Sequence, residues 1–162
     1  MTCRIRRFET ADAEVPAELA RAAILKIGAR VYSPVQVAAW CSRQMTAERF
    51  HERAATGEMI LVAVGEAERP VAYTLLERDG HLDQLYCHPD HPRRGLADRL
   101  LAEAELNAIA RTFPRLYSEA SELARPAFTR AGYIVLHRRD FVIEHDNKAV
   151  PINNYATEKA LR

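Results

Sequence analysis

The sequence has no apolar run long enough to cross a bilayer. The longest stretch, Met59 to Val64, falls far short of the roughly 20 residues that a spanning helix needs. The first residues, MTCRIRRFET, are charged and carry no apolar segment of the signal-peptide kind, so a soluble cytoplasmic protein is expected. A surplus of one charge sign is also lacking: 23 Lys and Arg face 22 Asp and Glu, which gives no general attraction to nucleic acid or to an anionic membrane. Any anion site must therefore be local. Cysteine is scarce, with Cys3, Cys41 and Cys87 odd in number and without CxxC spacing, which fits reduced buried thiols rather than a disulfide framework or a zinc site. No metal is implied. Repeats, linkers and low-complexity tracts are absent too. What remains is a chain of 162 residues, 48% of them apolar, enough for one core and one domain spanning 1–162.

The order of elements is readable from periodicity. CRIRRF alternates apolar and charged residues as a first strand does, and ETADAEVPAELARAAILKIGARV turns helical after its Thr and Asp. Ser33-Pro34 opens a second helix, SPVQVAAWCSR, and Thr46 a third, TAERFHERAA. Three extended runs follow, EMILVAV, PVAYTLLE and HLDQLYC. Their short connections suit an antiparallel meander, with Asp79-Gly80 as the clearest hairpin signal. A helix through Leu96, Leu100, Leu101, Ala104 and Ala108 should end near Arg111. RLYSEAS reads as a strand and ARPAFTRA as a short helix stopped at Gly132. YIVLHRRDFVIEH and AVPINNYATEKAL form two last strands that turn at Asp146-Asn147-Lys148. The pattern predicts an α+β or mixed α/β domain around one sheet.

LYCHPDHPRRGLADRLL passes from strand to helix, with Gly95 and two arginines at the join. A helix N-terminus offers unpaired N–H groups and the positive end of a dipole, so such a turn can hold a diphosphate through its amides with Arg93 and Arg94. An ordinary strand-to-helix connection with solvated arginines is the other reading. Neither the Gly-Lys-Ser/Thr of a P-loop nor three spaced glycines are present, which argues against ATP and NAD.

Context resolves the choice by resemblance. Pro92-Arg93-Arg94-Gly95-Leu96-Ala97 is similar to the GNAT acyltransferase pattern of Arg or Gln, two residues, Gly, one residue, then Gly or Ala. ARPAFTRAGY resembles that superfamily's Ala-x-x-aliphatic-Tyr-x-x-x-Gly-Phe segment, and the element order agrees from CRIRRF to ATEKAL. The resemblance implies a GNAT-like fold: a central, mostly antiparallel mixed sheet of about seven strands, flanked by helices and splayed between the fourth and fifth. It implies acetyl-CoA as co-substrate, with the pyrophosphate on the amides of Arg93, Arg94, Gly95, Leu96 and Ala97 and the pantetheine arm along the backbone of Leu85, Tyr86 and Cys87. Two departures stand out. Pro92 removes one N–H from the cradle, and Phe128 takes the place of a Tyr that protonates the departing thiolate in many members.

The chemistry tolerates the second departure. A thiol with a pKa of about 8.5 leaves as thiolate at pH 7 for a penalty of only about 2 kcal/mol, whereas an alkylamine of pKa about 10.4 needs roughly 4.6 kcal/mol to be neutral there, so a base is the more pressing need. Strand alternation puts His81, Asp83, Leu85 and Cys87 on one face and Leu82, Gln84 and Tyr86 on the other. His81 and Asp83 are thus neighbours, spaced like the paired histidines of arylalkylamine acetyltransferases, a GNAT branch. Asp83 can orient His81, raise its pKa or accept a proton through water, or the two form a surface pair. Glu119 is the other candidate carboxylate, or a solvated strand residue. Ser121 lies where many members place a pantetheine-binding Asn and is equally a helix cap. Arg125 meets a phosphate or merely decorates its helix.

Tyr32 is the best candidate for an acceptor pocket, with Trp40 and Phe50 read as core. His88 and His91 have HxxH spacing but no third ligand nearby. Cys87 lacks an activating His partner, which favours direct transfer of the acetyl group to an amine in a ternary complex over a covalent acyl-enzyme. A non-catalytic acyl-CoA sensor is the main alternative, and a nucleotide-binding protein a third. The acceptor is a small-molecule amine or a protein or peptide amine, with a homodimer open as an expectation from the resemblance.

Overall fold

The computed structural model describes residues 2–91 and 95–162. Strand β1 (Arg4–Arg7) is followed by a 3₁₀ turn and by helices α1 (Glu14–Lys26), α2 (Pro34–Ser42) and α3 (Ala47–Ala55). The meander β2 (Met59–Val64), β3 (Pro70–Leu76) and β4 (Leu82–Cys87) comes next, then α4 (Leu96–Ala110), β5 (Arg115–Ala120), α5 (Arg125–Arg130), β6 (Ile134–His145) and β7 (Lys148–Ala160). Local chemistry sets several starts. Ser33 caps α2 through a reciprocal pair with Gln36, and Pro34 occupies the first turn, where its missing N–H costs nothing. Asp146 and Asn147 both hold positive φ, which makes the tight turn from β6 into β7.

The seven strands form two sheets rather than one continuous sheet, in the orders β1-β2-β3-β4 and β5-β7-β6, and every pairing inside them is antiparallel. All six residues of β2 are buried because helices cover both its faces. Met59, Leu61 and Ala63 pack with Leu100, Leu101 and Ala104 of α4, and Ile60, Val62 and Val64 pack with Leu19 of α1 and Phe50 of α3. A third cluster joins Val37 and Ala39 of α2 to Ile143, Val150 and Ile152 of the last hairpin.

The strands of the two sheets are joined at the start of β4. His81 and Tyr117 form an isolated parallel bridge, the Tyr117 N–H donates to the Gly80 carbonyl at 3.1 Å, and the Ser118 hydroxyl donates to the Leu82 carbonyl at 2.7 Å. Beyond Leu82 the two strands part, as expected for a sheet splayed between its fourth and fifth strands.

Simple alternation fails in β4. The register pairs Leu75 with Gln84 but Leu76 with Leu82, so Asp83 is an extra residue in a β-bulge. Leu82 consequently joins Leu85 and Cys87 against the α4 cluster, while Tyr86 packs towards the opposite clusters. The expectation that His81 and Asp83 share a face with Leu85 and Cys87 is corrected by this one residue. His81 and Asp83 remain together, on the side away from α4.

Candidate active site

The gap left by the splay is a concavity between the parting strands. A cavity of about 500 Å3 is lined by His81, Asp83, Gln84, Leu85 and Tyr86 on one wall and by Ser118, Glu119, Ala120, Ser121 and Phe128 on the other. A smaller one of about 260 Å3 continues along Leu85, Tyr86 and Cys87 towards Ala97 and the start of α5. Leu85, Tyr86, Ser121, Ala124 and Trp40 line both, so the two are one cleft. Trp40, read from the sequence as core, is only half-buried and contributes a wall, packed edge-on against Tyr32.

Backbone polarity along β4 follows from one hydrogen bond. The His88 N–H donates to the Val71 carbonyl at 2.8 Å, which makes that pair the bonded type. By antiparallel alternation Tyr86 also bonds to β3 through its partner Tyr73, and the N–H and C=O groups of Leu85 and Cys87 point the other way, into the cleft. Tyr86 instead offers the cleft its side chain, whose hydroxyl pKa burial drives up, with Trp40 and Gln44 opposing the rise. At the far end Gly95 caps α4 with φ +65°, and no described side chain caps the first amides of that helix. Leu96 is buried in the core, whereas Ala97 faces the cleft. Pro92, Arg93 and Arg94 lie outside the described residues.

His81 is the centre of a charged chain. Its Nε2 is 2.5 Å from Glu119 Oε2 and its Nδ1 is 3.2 Å from Glu77 Oε1. A neutral imidazole has one donor and one acceptor, so two carboxylate partners require both nitrogens to donate. The ring is an imidazolium. Burial alone pulls its pKa down, but the hydrogen bond and charge of Glu119, the hydrogen bond of Glu77 and the charge of Asp83 outweigh burial and push it up to about 9. The same contact with His81 holds Glu119 below the ordinary carboxylate range against the pull of burial.

Asp83 is not the partner of His81. Its carboxylate accepts from Arg53 Nη1 at 2.6 Å, and Arg53 also donates to Glu77 at 2.9 Å and pairs with Glu58. Arg53 and Glu77 escape a reading by spacing, since Arg53 arrives from α3 and Glu77 reaches back across the Asp79-Gly80 turn. Donor atoms of Glu77, His81 and Asp83 lie within 4.8 Å of one another, but the Arg53 guanidinium already supplies the cation for two of them.

The other sequence candidates have defined places. Tyr32 lines the larger cavity, yet its hydroxyl is engaged: it accepts from the Glu122 N–H at 2.9 Å and donates to the Asn153 carbonyl at 3.1 Å. It braces the β5–α5 loop to β7. Ser121 closes the turn that leads into α5 rather than capping the helix itself, its hydroxyl accepting from the Ala124 N–H at 3.1 Å, and it lines both cavities. Arg125 donates to Glu122 at 2.7 Å and stacks over Tyr155, and it lines neither cavity. Phe128 is buried against Tyr133 and lines the larger cavity. Burial raises the Cys87 thiol to about 11, helped by the charge of Asp98, so it stays protonated at neutral pH.

Two splayed antiparallel sheets, with a cleft at the parting strands and a glycine-capped helix at its end, make the architecture of an acetyltransferase. The family model for the acetyltransferase (GNAT) domain matches residues 28–146, and the chain belongs to that family. It is 28% identical over 130 residues to the uncharacterized N-acetyltransferase YafP of Escherichia coli (strain K12), a match covering 80% of each chain. A GCN5-related N-acetyltransferase from Rhodopseudomonas palustris shares the fold with a TM-score of 0.85 and 29% identity, over 99% of this chain and 97% of that one. PaiA N-acetyltransferase from Thermoplasma acidophilum, in complex with coenzyme A, aligns with a TM-score of 0.77 at 18% identity over 99% and 100% of the two chains.

Proposed function

We propose that the protein moves the acetyl group of acetyl-CoA directly to the amine of a small acceptor, with both bound in the cleft at once. The observation that carries this reading is the open edge of β4, where Leu85 and Cys87 turn their backbone groups into a cleft that ends at the uncapped amides of α4. Pantetheine lies along that edge, and the pyrophosphate meets the amides from Gly95 to Ala97. Arg125 is left out of this set because Glu122 and Tyr155 hold its guanidinium.

The acceptor's ammonium docks against Glu119. A second cation there competes with His81 for the carboxylate and lowers the imidazolium's pKa. His81 then loses its Nε2 proton to solvent and, as a neutral imidazole whose Nδ1–H stays on Glu77, takes one from the ammonium at Nε2. The nitrogen attacks the carbonyl carbon, the C–N bond replaces the thioester C–S bond, sulfur leaves with the electron pair, and the second proton lost by the nitrogen goes to that thiolate. Backbone N–H groups of Leu85 and Cys87 polarise the carbonyl. Asp83 fixes Arg53 and thereby Glu77, so it acts by positioning.

Incubation with acetyl-CoA and a panel of amines, following free thiol, tests the reading. Amine-dependent thiol release is expected, and it should survive Cys87→Ala because a thiol with a pKa near 11 is a poor nucleophile at pH 7. Stabilisation by acetyl-CoA without thiol release for any amine points instead to an acyl-CoA sensor. For assembly we propose pairing of two copies along β6, an edge strand that exposes Ile134, Leu136 and Val142. Sedimentation of wild type against Val142→Lys checks it, and an unchanged monomer in both removes it.

A further inference from the structure

The larger cavity carries a surplus of cationic side chains, and the residues that cause it say what kind of acceptor fits. Five charged side chains line it: His81, Arg43 and Arg139 are cationic, Asp83 and Glu119 anionic. Asp83 is already matched by Arg53, and Glu119 by His81, with Arg139 at 4.0 Å. Arg139 spends one further donor on Asn154 at 3.1 Å. Arg43, at the end of α2, has no anionic partner among the described residues and faces the same space.

We propose that the acceptor is a small amine that also bears an anionic group, a carboxylate or a phosphoryl oxyanion, with its ammonium at Glu119 and its anion at Arg43 and Arg139. This rests on the acetyl-transfer reading above. An unpartnered guanidinium presents a fork of donors that suits either oxyanion. A polycation gains nothing from such a lining, since its second charge meets the two arginines. Size agrees: about 500 Å3, part of it taken by the thioester end of the cofactor, leaves room for an amino-acid-sized molecule rather than a folded protein surface.

The test compares each α-amino acid with its decarboxylated amine and with the matching aminoalkylphosphonate, following thiol release from acetyl-CoA. An anion-bearing member should exceed its decarboxylated partner in kcat/KM by about tenfold or more, as expected for a charge-assisted contact. Arg43→Gln should erase most of that preference by raising KM for the anion-bearing acceptor, with little effect on the plain amine. The phosphonate arm tells carboxylate from phosphoryl recognition. Plain amines serving as well as their carboxylated partners, or a preference unmoved by Arg43→Gln, overturns the inference and leaves acetyl transfer standing. Thiol release with no member of any arm overturns acetyl transfer itself.

Discussion

His81 lies between two carboxylates on a partly buried strand end, and that placement links its charge to stability. Its pKa rises from an ordinary value near 6.5 in the unfolded chain to about 9 in the fold. The stabilisation is therefore fully present below about pH 6.5 and is lost as pH rises through about 9, with a ceiling on the order of 3 kcal/mol. Denaturant midpoints at pH 6 and pH 9.5 should fall for wild type and change less for His81→Gln; parallel curves would remove the ion-pair account. Rate should follow the opposite sense, rising as pH approaches 9 because a neutral ring is what accepts the proton. Glu119→Gln should cost more in kcat/KM, about 100-fold, than Asp83→Asn, which disturbs only the Arg53 contact. The reverse order would make Asp83 the proton acceptor. The residue types at this site were legible from the HxD pattern on one strand. Their partners were not, because Arg53, Glu77 and Glu119 reach His81 and Asp83 from three other segments and leave no trace in spacing.

At the level of elements, period and turn chemistry made nearly every strand and helix readable, and the errors have a common cause. The bulge at Asp83 and the parting of β4 from β5 depend on how two hairpins meet, which no local residue type records. Two glycines mark that junction and the cofactor loop, and they differ in a measurable way. Gly80 has φ +92°, and an added Cβ would sit 2.3 Å from the Arg115 carbonyl oxygen. Gly80→Ala must push β5 away as well as bear the strain of a positive φ, about 1 kcal/mol by itself. Gly95 has φ +65° but, among the described residues, nothing within 4 Å of an added Cβ, so against those residues Gly95→Ala pays only the conformational term. Urea midpoints should drop clearly further for Gly80→Ala, whereas CoA affinity should suffer more in Gly95→Ala, whose new methyl sits at the amide cradle. Equal losses of stability would show that the β4–β5 junction is not tight.

The whole molecule is two sheets held together by one bridge, a few hydrogen bonds and the packing of helices, with a cleft between them. A ligand that spans this cleft replaces the missing strand-to-strand contacts, so it should stabilise the fold as a unit. Coenzyme A at a hundredfold excess over its Kd adds about 2.7 kcal/mol. For a chain of 162 residues that corresponds to a rise in Tm of roughly 5–10 °C. ATP shares the phosphates and adenine but has no pantetheine arm to lie against Leu85 and Cys87, so its effect should be much smaller. Differential scanning calorimetry with both ligands, on wild type and on Gly95→Ala, separates the two parts of the site. Gly95→Ala should blunt the response to CoA while leaving the ligand-free Tm within a few degrees. If ATP raises Tm as far as CoA does, the open edge of β4 contributes nothing to binding, and the cleft is a nucleotide site whose width between the sheets needs another explanation.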